Sequence, residues 1–278
     1  MTDNRPIGVF DSGIGGLTVL REILNAVPGE STVYFGDNSR TPYGTKSRST
    51  VIRYSLQNMK FLESKDVKMI VIACNTASAY AYEELKARSK VPVVEVVTPG
   101  ADEACRSTKN GRIGIIATKG TVSTGVYKKA VERRAEELGM KDIEIFQQAC
   151  PLFVSLAEEG WWDNEIAKLT AEEYLKPLKE AGVDTLVMAC THYPLLSKVI
   201  AEVMGEGVTL VNTGVATAQV VKELLEKENI VSEGGVPARE FYTSDEPELF
   251  EQVAAPFLGE GLPSGTKHFS TDRYEVTI

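Results

Sequence analysis

Two short stretches constrain this chain more than any others. Met69-Ile70-Val71-Ile72-Ala73-Cys74-Asn75-Thr76 and Thr185-Leu186-Val187-Met188-Ala189-Cys190-Thr191-His192 share one design. Each is an apolar run, an alanine, a cysteine and two polar residues, with a helical pattern beyond. Aligning residues 67–86 with 183–202 pairs Val67 with Val183, Val71 with Val187, Ala73 with Ala189 and Cys74 with Cys190. A short apolar run bounded by polar residues predicts a buried strand. A chain that twice ends such a strand in a cysteine predicts two related units presenting two thiols to one site.

The remaining elements repeat in the same order. The run at 6–10 stops at Asp11-Ser12-Gly13-Ile14-Gly15-Gly16 and leads into a helix over 17–27. Further on, the run at 112–117 stops at Thr118-Lys119-Gly120-Thr121 and leads into a helix over 123–138. Strands are predicted at 32–35, 91–97, 143–146 and 208–211, and helices at 49–64 and 101–107, with a long helical stretch ending at 181–182. Thr98-Pro99-Gly100 reads as a break, and 36–44 and 147–154 as loops. A tail from 213 adds a helix, a strand at 240–243 and a helix at 247–257. Alternating strands and helices predict α/β architecture, with two pseudo-symmetric parallel-sheet domains facing each other across a cleft. The expected division is 1–98 plus 212–278 for the first domain and 99–211 for the second.

Several function classes fall away on composition. A formal charge of −9 gives no basic footprint for nucleic acid. No apolar run approaches the roughly 20 residues of a membrane helix. The polar start, Met1 to Pro6, carries no secretory signal, so the expected location is cytoplasmic, with Cys74, Cys105, Cys150 and Cys190 reduced. Their spacing is unlike paired zinc ligands, and with only His192 and His268 no metal site is expected. The glycines after Asp11 match neither nucleotide fingerprint, although that turn is where open parallel sheets bind ligands.

Cysteine after an apolar run is commonly inert core, and that reading serves Cys105 and Cys150. For Cys74 and Cys190 the matched positions and the polar followers favour chemistry. A helix N-terminus beyond each favours the thiolate. Opposed thiols suit proton abstraction on one face of a carbon and delivery on the other, as inversion of a stereocentre requires. A single covalent cysteine would want a histidine base; His192 leaves that open for Cys190 and gives no reason for Cys74.

The ordered motifs around residues 11–18, 42–44, 73–77, 117–121, 150–154 and 190–196 resemble the glutamate racemases of the cofactor-independent aspartate/glutamate racemase superfamily. The resemblance runs from about Ile7 to Val211. It implies interconversion of L- and D-glutamate without pyridoxal phosphate or any other cofactor, supplying D-glutamate for peptidoglycan. It implies Cys74 and Cys190 as the acid/base pair, with Asp11, His192 and Glu158 assisting. Substrate contacts are implied for Asp11, Ser12, Pro42, Tyr43, Gly44, Asn75, Thr76, Thr118, Thr121, Thr191 and His192. Glu159 rivals Glu158, and surface charge remains open for both. A homodimer is expected on the same ground. Asn212-Thr213-Gly214 and Ser155 depart from the family pattern. The alternatives are an aspartate racemase and a non-catalytic two-lobed protein that binds an acidic amino acid.

Overall fold

The computed structural model describes residues 2–259 and 265–278. In chain order the first half contains β1 (Ile7–Asp11), α1 (Leu17–Ala26), β2 (Thr32–Gly36), α2 (Arg48–Glu63), β3 (Met69–Ile72), α3 (Asn75–Arg88) and β4 (Val93–Glu95). Then come α4 (Val97–Ser107), β5 (Arg112–Ala117), α5 (Lys119–Thr124), α6 (Val126–Glu137), β6 (Glu144–Ala149), α7 (Leu152–Glu158), α8 (Glu165–Glu180), β7 (Thr185–Ala189), α9 (Ser197–Met204) and β8 (Thr209–Asn212). The tail adds α10 (Thr213–Lys227), β9 (Arg239–Thr243), α11 (Pro247–Leu258) and β10 (Lys267–His268).

The strands form two separate parallel sheets, in the orders β10-β9-β2-β1-β3-β4 and β6-β5-β7-β8. The shared core of the two orders is one topology: β2-β1-β3-β4 corresponds strand for strand to β6-β5-β7-β8. The repeat read from the cysteine runs is therefore a repeat of sheet order. Helices cover both faces of each sheet, which explains why the central strands are apolar without alternation. Met69, Ile70, Val71 and Ile72 are all fully buried, as are Leu186 and Val187. Each such side chain contributes on the order of 1.5–3 kcal/mol by leaving water. The tail returns to the first sheet, with β9 pairing in parallel with β2 and β10 with β9.

Four boundaries differ from the sequence expectation, each for a local reason. Thr98-Pro99-Gly100 does not break the chain but forms the first turn of α4. There a proline N–H is not needed, and the Glu95 carboxylate accepts from the N–H groups of Val97 and Thr98. The preceding strand shrinks to Val93–Glu95. The helix expected over 123–138 is two helices, because Gly125 takes a left-handed conformation at φ 63°. Gln147 and Gln148, read as loop, continue β6 at the sheet edge, where polar side chains need no burial. Among the described residues no helix is long and apolar enough to cross a membrane.

Candidate active site

Parallel pairing brings the strand ends of each sheet to one edge. Phe10 pairs with Ile72, so Asp11 and the Ala73-Cys74 step lie side by side. Ala117 pairs with Ala189, so Thr118 and Cys190 leave adjacent strand ends in the second sheet. The two edges meet. Thr76 Oγ1 lies 3.0 Å from Thr118 Oγ1 and 3.2 Å from Thr121 Oγ1. On the other flank Thr18 Oγ1 donates to the Thr191 carbonyl at 2.8 Å. Two glycines permit this approach. A Cβ at Gly15 would lie 2.3 Å from Thr191 Oγ1, and one at Gly44 would lie 2.8 Å from Thr118 Cβ.

Cys74 and Cys190 are 5% and 6% exposed, buried where the two sheet edges meet. Cys74 caps α3: its Sγ accepts from the Ala77 N–H at 3.4 Å and lies 3.5 Å from Ser12 Oγ. The thiolate expected at this helix end does not prevail. Burial pushes the Cys74 thiol up to about 12, with the Asp11 carboxylate adding to the effect. Burial thus favours the S–H form of Cys74, the form that can deliver a proton.

The second wall is built differently. Cys190 Sγ lies 3.9 Å from His192 Nδ1, and His192 Nε2 lies 3.0 Å from Glu158 Oε1. Burial works against charge on His192. The bonds to Cys190 and Glu158 outweigh it and push the imidazole up to about 10. As imidazolium it donates from both nitrogens, to Glu158 and towards the Cys190 sulfur. Of the two rival carboxylates, Glu158 makes the contact, from the last residue of α7.

Asp11 is fully buried. Its Oδ2 accepts from the Gly13 N–H at 3.0 Å, while Oδ1 has no hydrogen-bond partner among the described residues. Burial raises the Asp11 carboxyl, with His192 and the Gly13, Gly16 and Ser12 amides opposing. Asn75 is the matching donor: its Oδ1 is engaged, while its Nδ2 is buried and without a partner among the described residues. The site thus holds one orphan acceptor and one orphan donor. A buried polar group left unpaired costs about 1–3 kcal/mol, so a complementary ligand gains what the closed protein forgoes.

Tyr43 is placed differently from the others. Its hydroxyl is hydrogen-bonded to Asp37 and accepts from Asn58 Nδ2 at 3.1 Å, while Arg40 pairs with Asp37 at 2.8 Å. The ring and hydroxyl of Tyr43 serve the loop, leaving its backbone and that of Pro42 and Gly44 for the site. Cys105 and Cys150 also lie in hydrophobic cores beside the second sheet, Cys150 in the cluster that includes Cys190. Thr18 and Tyr127 reach the site without having been singled out. Thr18 stood inside a recognised motif; Tyr127 sits in an ordinary helical pattern that gives no signal.

The chain matches the family model described as Asp/Glu/Hydantoin racemase over residues 7–221. The chain belongs to this racemase family. A protein of Geobacter metallireducens named glutamate racemase is 52% identical over 261 residues, covering 93% of this chain and 94% of that protein. The crystal structure of glutamate racemase from Francisella tularensis in complex with D-glutamate superposes with a TM-score of 0.89 at 36% identity, covering 98% of this chain and 100% of that one. Glutamate racemase isoform RacE1 from Bacillus anthracis gives 0.90 at 35% identity, covering 96% and 98%. The resemblance read from the motifs, and the two parallel-sheet α/β units read from the order of strands and helices, are borne out by these matches. Of the two departures from the family pattern, Asn212 has a local role: its Oδ1 accepts from the Gly214 N–H at 2.9 Å and caps α10. Ser155 is exposed on α7.

Proposed function

We propose that this protein interconverts L- and D-glutamate by two-base proton transfer between Cys74 and Cys190. The observation that carries the reading is the pair of buried thiols at equivalent strand ends, flanked by the orphan acceptor of Asp11 and the orphan donor of Asn75. An amino acid offers the complementary set, an ammonium and a carboxylate. In the L-to-D direction Cys190 removes the α-proton, its sulfur gaining the S–H bond as the C–H bond breaks. The electron pair stays on the α-carbon, and the Cys74 S–H delivers its proton to the opposite face. In the reverse direction the Cys74 sulfur, left as thiolate by that delivery, removes the α-proton from the D-enantiomer, and the Cys190 S–H delivers its proton to the opposite face. His192, with Glu158 behind it, holds charge beside Cys190. Closure excludes water and strengthens each contact to the carbanion-like intermediate.

Glutamate is the substrate favoured by the similarity to glutamate racemases over most of the chain. The finer reading is a cytoplasmic homodimer that supplies D-glutamate for peptidoglycan. Residues 1–98 with 212–278, and 99–211, are taken as the units that part to admit substrate. Circular dichroism of each enantiomer tests the function directly. Glutamate should lose optical activity much faster than aspartate, and Cys74→Ser and Cys190→Ser should each abolish turnover. Faster racemisation of aspartate would replace the substrate; a fully active serine variant would sink the thiol assignment.

A further inference from the structure

Tyr127, on α6 of the second half, is 1% exposed. Its hydroxyl donates to Asn75 Oδ1 at 2.5 Å and lies 3.5 Å from the Val96 carbonyl oxygen. Asn75, the first residue of α3, follows Cys74 directly and is 3% exposed. An asparagine amide has two orientations of nearly equal shape but opposite chemistry at each end. A hydroxyl donor placed on one end selects oxygen there and turns the N–H groups to the other. With the amide reversed, the Tyr127 hydroxyl would have to accept from Nδ2 and donate across the longer distance to Val96. Burial pushes the Tyr127 phenol well up, so it retains the proton it donates.

We propose that Tyr127 is a positioning residue that fixes the Asn75 amide so that Nδ2–H donates to a carboxylate of the substrate. The inference rests on the racemase reading above. It adds a cross-half dependence: the residue beside Cys74 is oriented by a hydroxyl from the Cys190 half. Asn75 is therefore aligned only when the halves are together. The contact is made before and during reaction, so its loss falls on KM rather than kcat.

Tyr127→Phe keeps the ring and removes the hydroxyl. KM for both enantiomers should rise about tenfold, as for the loss of one aligned bond to a charged group, with kcat little changed. Asn75→Asp should raise KM more than Asn75→Ala, because it places a carboxylate oxygen where Nδ2 stood. In the Asn75→Ala background Tyr127→Phe should add nothing, whereas a merely structural tyrosine would contribute its full effect there too. The same cycle is read in Kd for glutamate by calorimetry, and Tm confirms folding. Wild-type KM in Tyr127→Phe, an additive double variant, or an Asn75→Asp protein that binds as well as wild type would each overturn the proposal. A wild-type protein that neither binds nor turns over glutamate would overturn the function and this proposal together; turnover with any of the former results overturns this proposal alone.

Discussion

Gly15 packs against Thr191 and His192 at the Cys190 wall, and a single methyl group there measures how tightly the site is set. In Gly15→Ala the new Cβ would lie 2.3 Å from Thr191 Oγ1, 2.5 Å from His192 Cε1 and 2.6 Å from His192 Nδ1. Carbon contacts are comfortable only near 3.5–4.0 Å, so the two loops must part by about 1 Å. Neither can give way cheaply. Residue 15 lies in the turn before α1, and Thr191 and His192 are 5% exposed. Overpacking of this kind costs about 1–3 kcal/mol of stability. The functional effect is larger, because a displacement of about 1 Å at reacting groups lowers rates by on the order of 100-fold. The assay is kcat/KM for both enantiomers alongside Tm. Enantiomers have an equilibrium constant of one, so kcat/KM must fall equally in both directions. Gly29→Ala is the control, since nothing lies within 4 Å of an added Cβ there. Wild-type kcat/KM in Gly15→Ala, or an equal loss in Gly29→Ala, would refute the claim that close approach at Gly15 sets the site.

Two further outcomes follow from buried charge. Lys68 is 1% exposed and pairs with Glu30 at 2.5 Å, while its ammonium also donates to the carbonyls of Asp3 and Ile230, both at 2.7 Å. Lys68→Met leaves Glu30 buried without its cation and should cost about 3–5 kcal/mol in urea unfolding; a loss near zero would show the pair to be dispensable. His192 is raised in the folded state from 6.5 to about 10. Its charged form therefore contributes stability that is fully present below pH 6.5 and is lost as pH rises through 10. Glu158 is 43% exposed, so its share is discounted for solvent. Glu158→Gln should be about 0.5–1 kcal/mol less stable than wild type at pH 6.5. That gap should close as pH passes 10, and a gap independent of pH would contradict the pairing.

The pattern of what was legible in the sequence has physical causes. Cys74 and Cys190 were readable because a strand buried on both faces is written as an unbroken apolar run, and what ends it stands out. The shared strand order followed from repetition of that pattern. The α4 start was not readable, because Pro99 and Gly100 break chains in most settings. Only the Glu95 carboxylate, three residues before Thr98, makes a helix start there. The thiolate expected at Cys74 failed because a helix end is visible in sequence and the depth of burial is not. Tyr127 was invisible: its contact with Asn75 spans 52 residues and two sheets. The role of Tyr43 in holding Asp37 also depends on a partner, Arg40, that sequence adjacency alone does not orient.

The central claim is that two thiols on opposite walls exchange one proton each with the α-carbon. Incubating L-glutamate in deuterated water, stopping at low conversion and separating the enantiomers tests it most directly. The Cys190 sulfur takes the α-hydrogen as its single hydrogen, and Cys74 donates solvent-derived deuterium to the face opposite the one Cys190 attacks. The D-enantiomer formed should therefore carry deuterium at the α-carbon, while recovered L-glutamate stays unlabelled, and the same should hold from the D side. Product that keeps the original hydrogen, or substrate labelled as fast as product, would contradict a two-thiol mechanism.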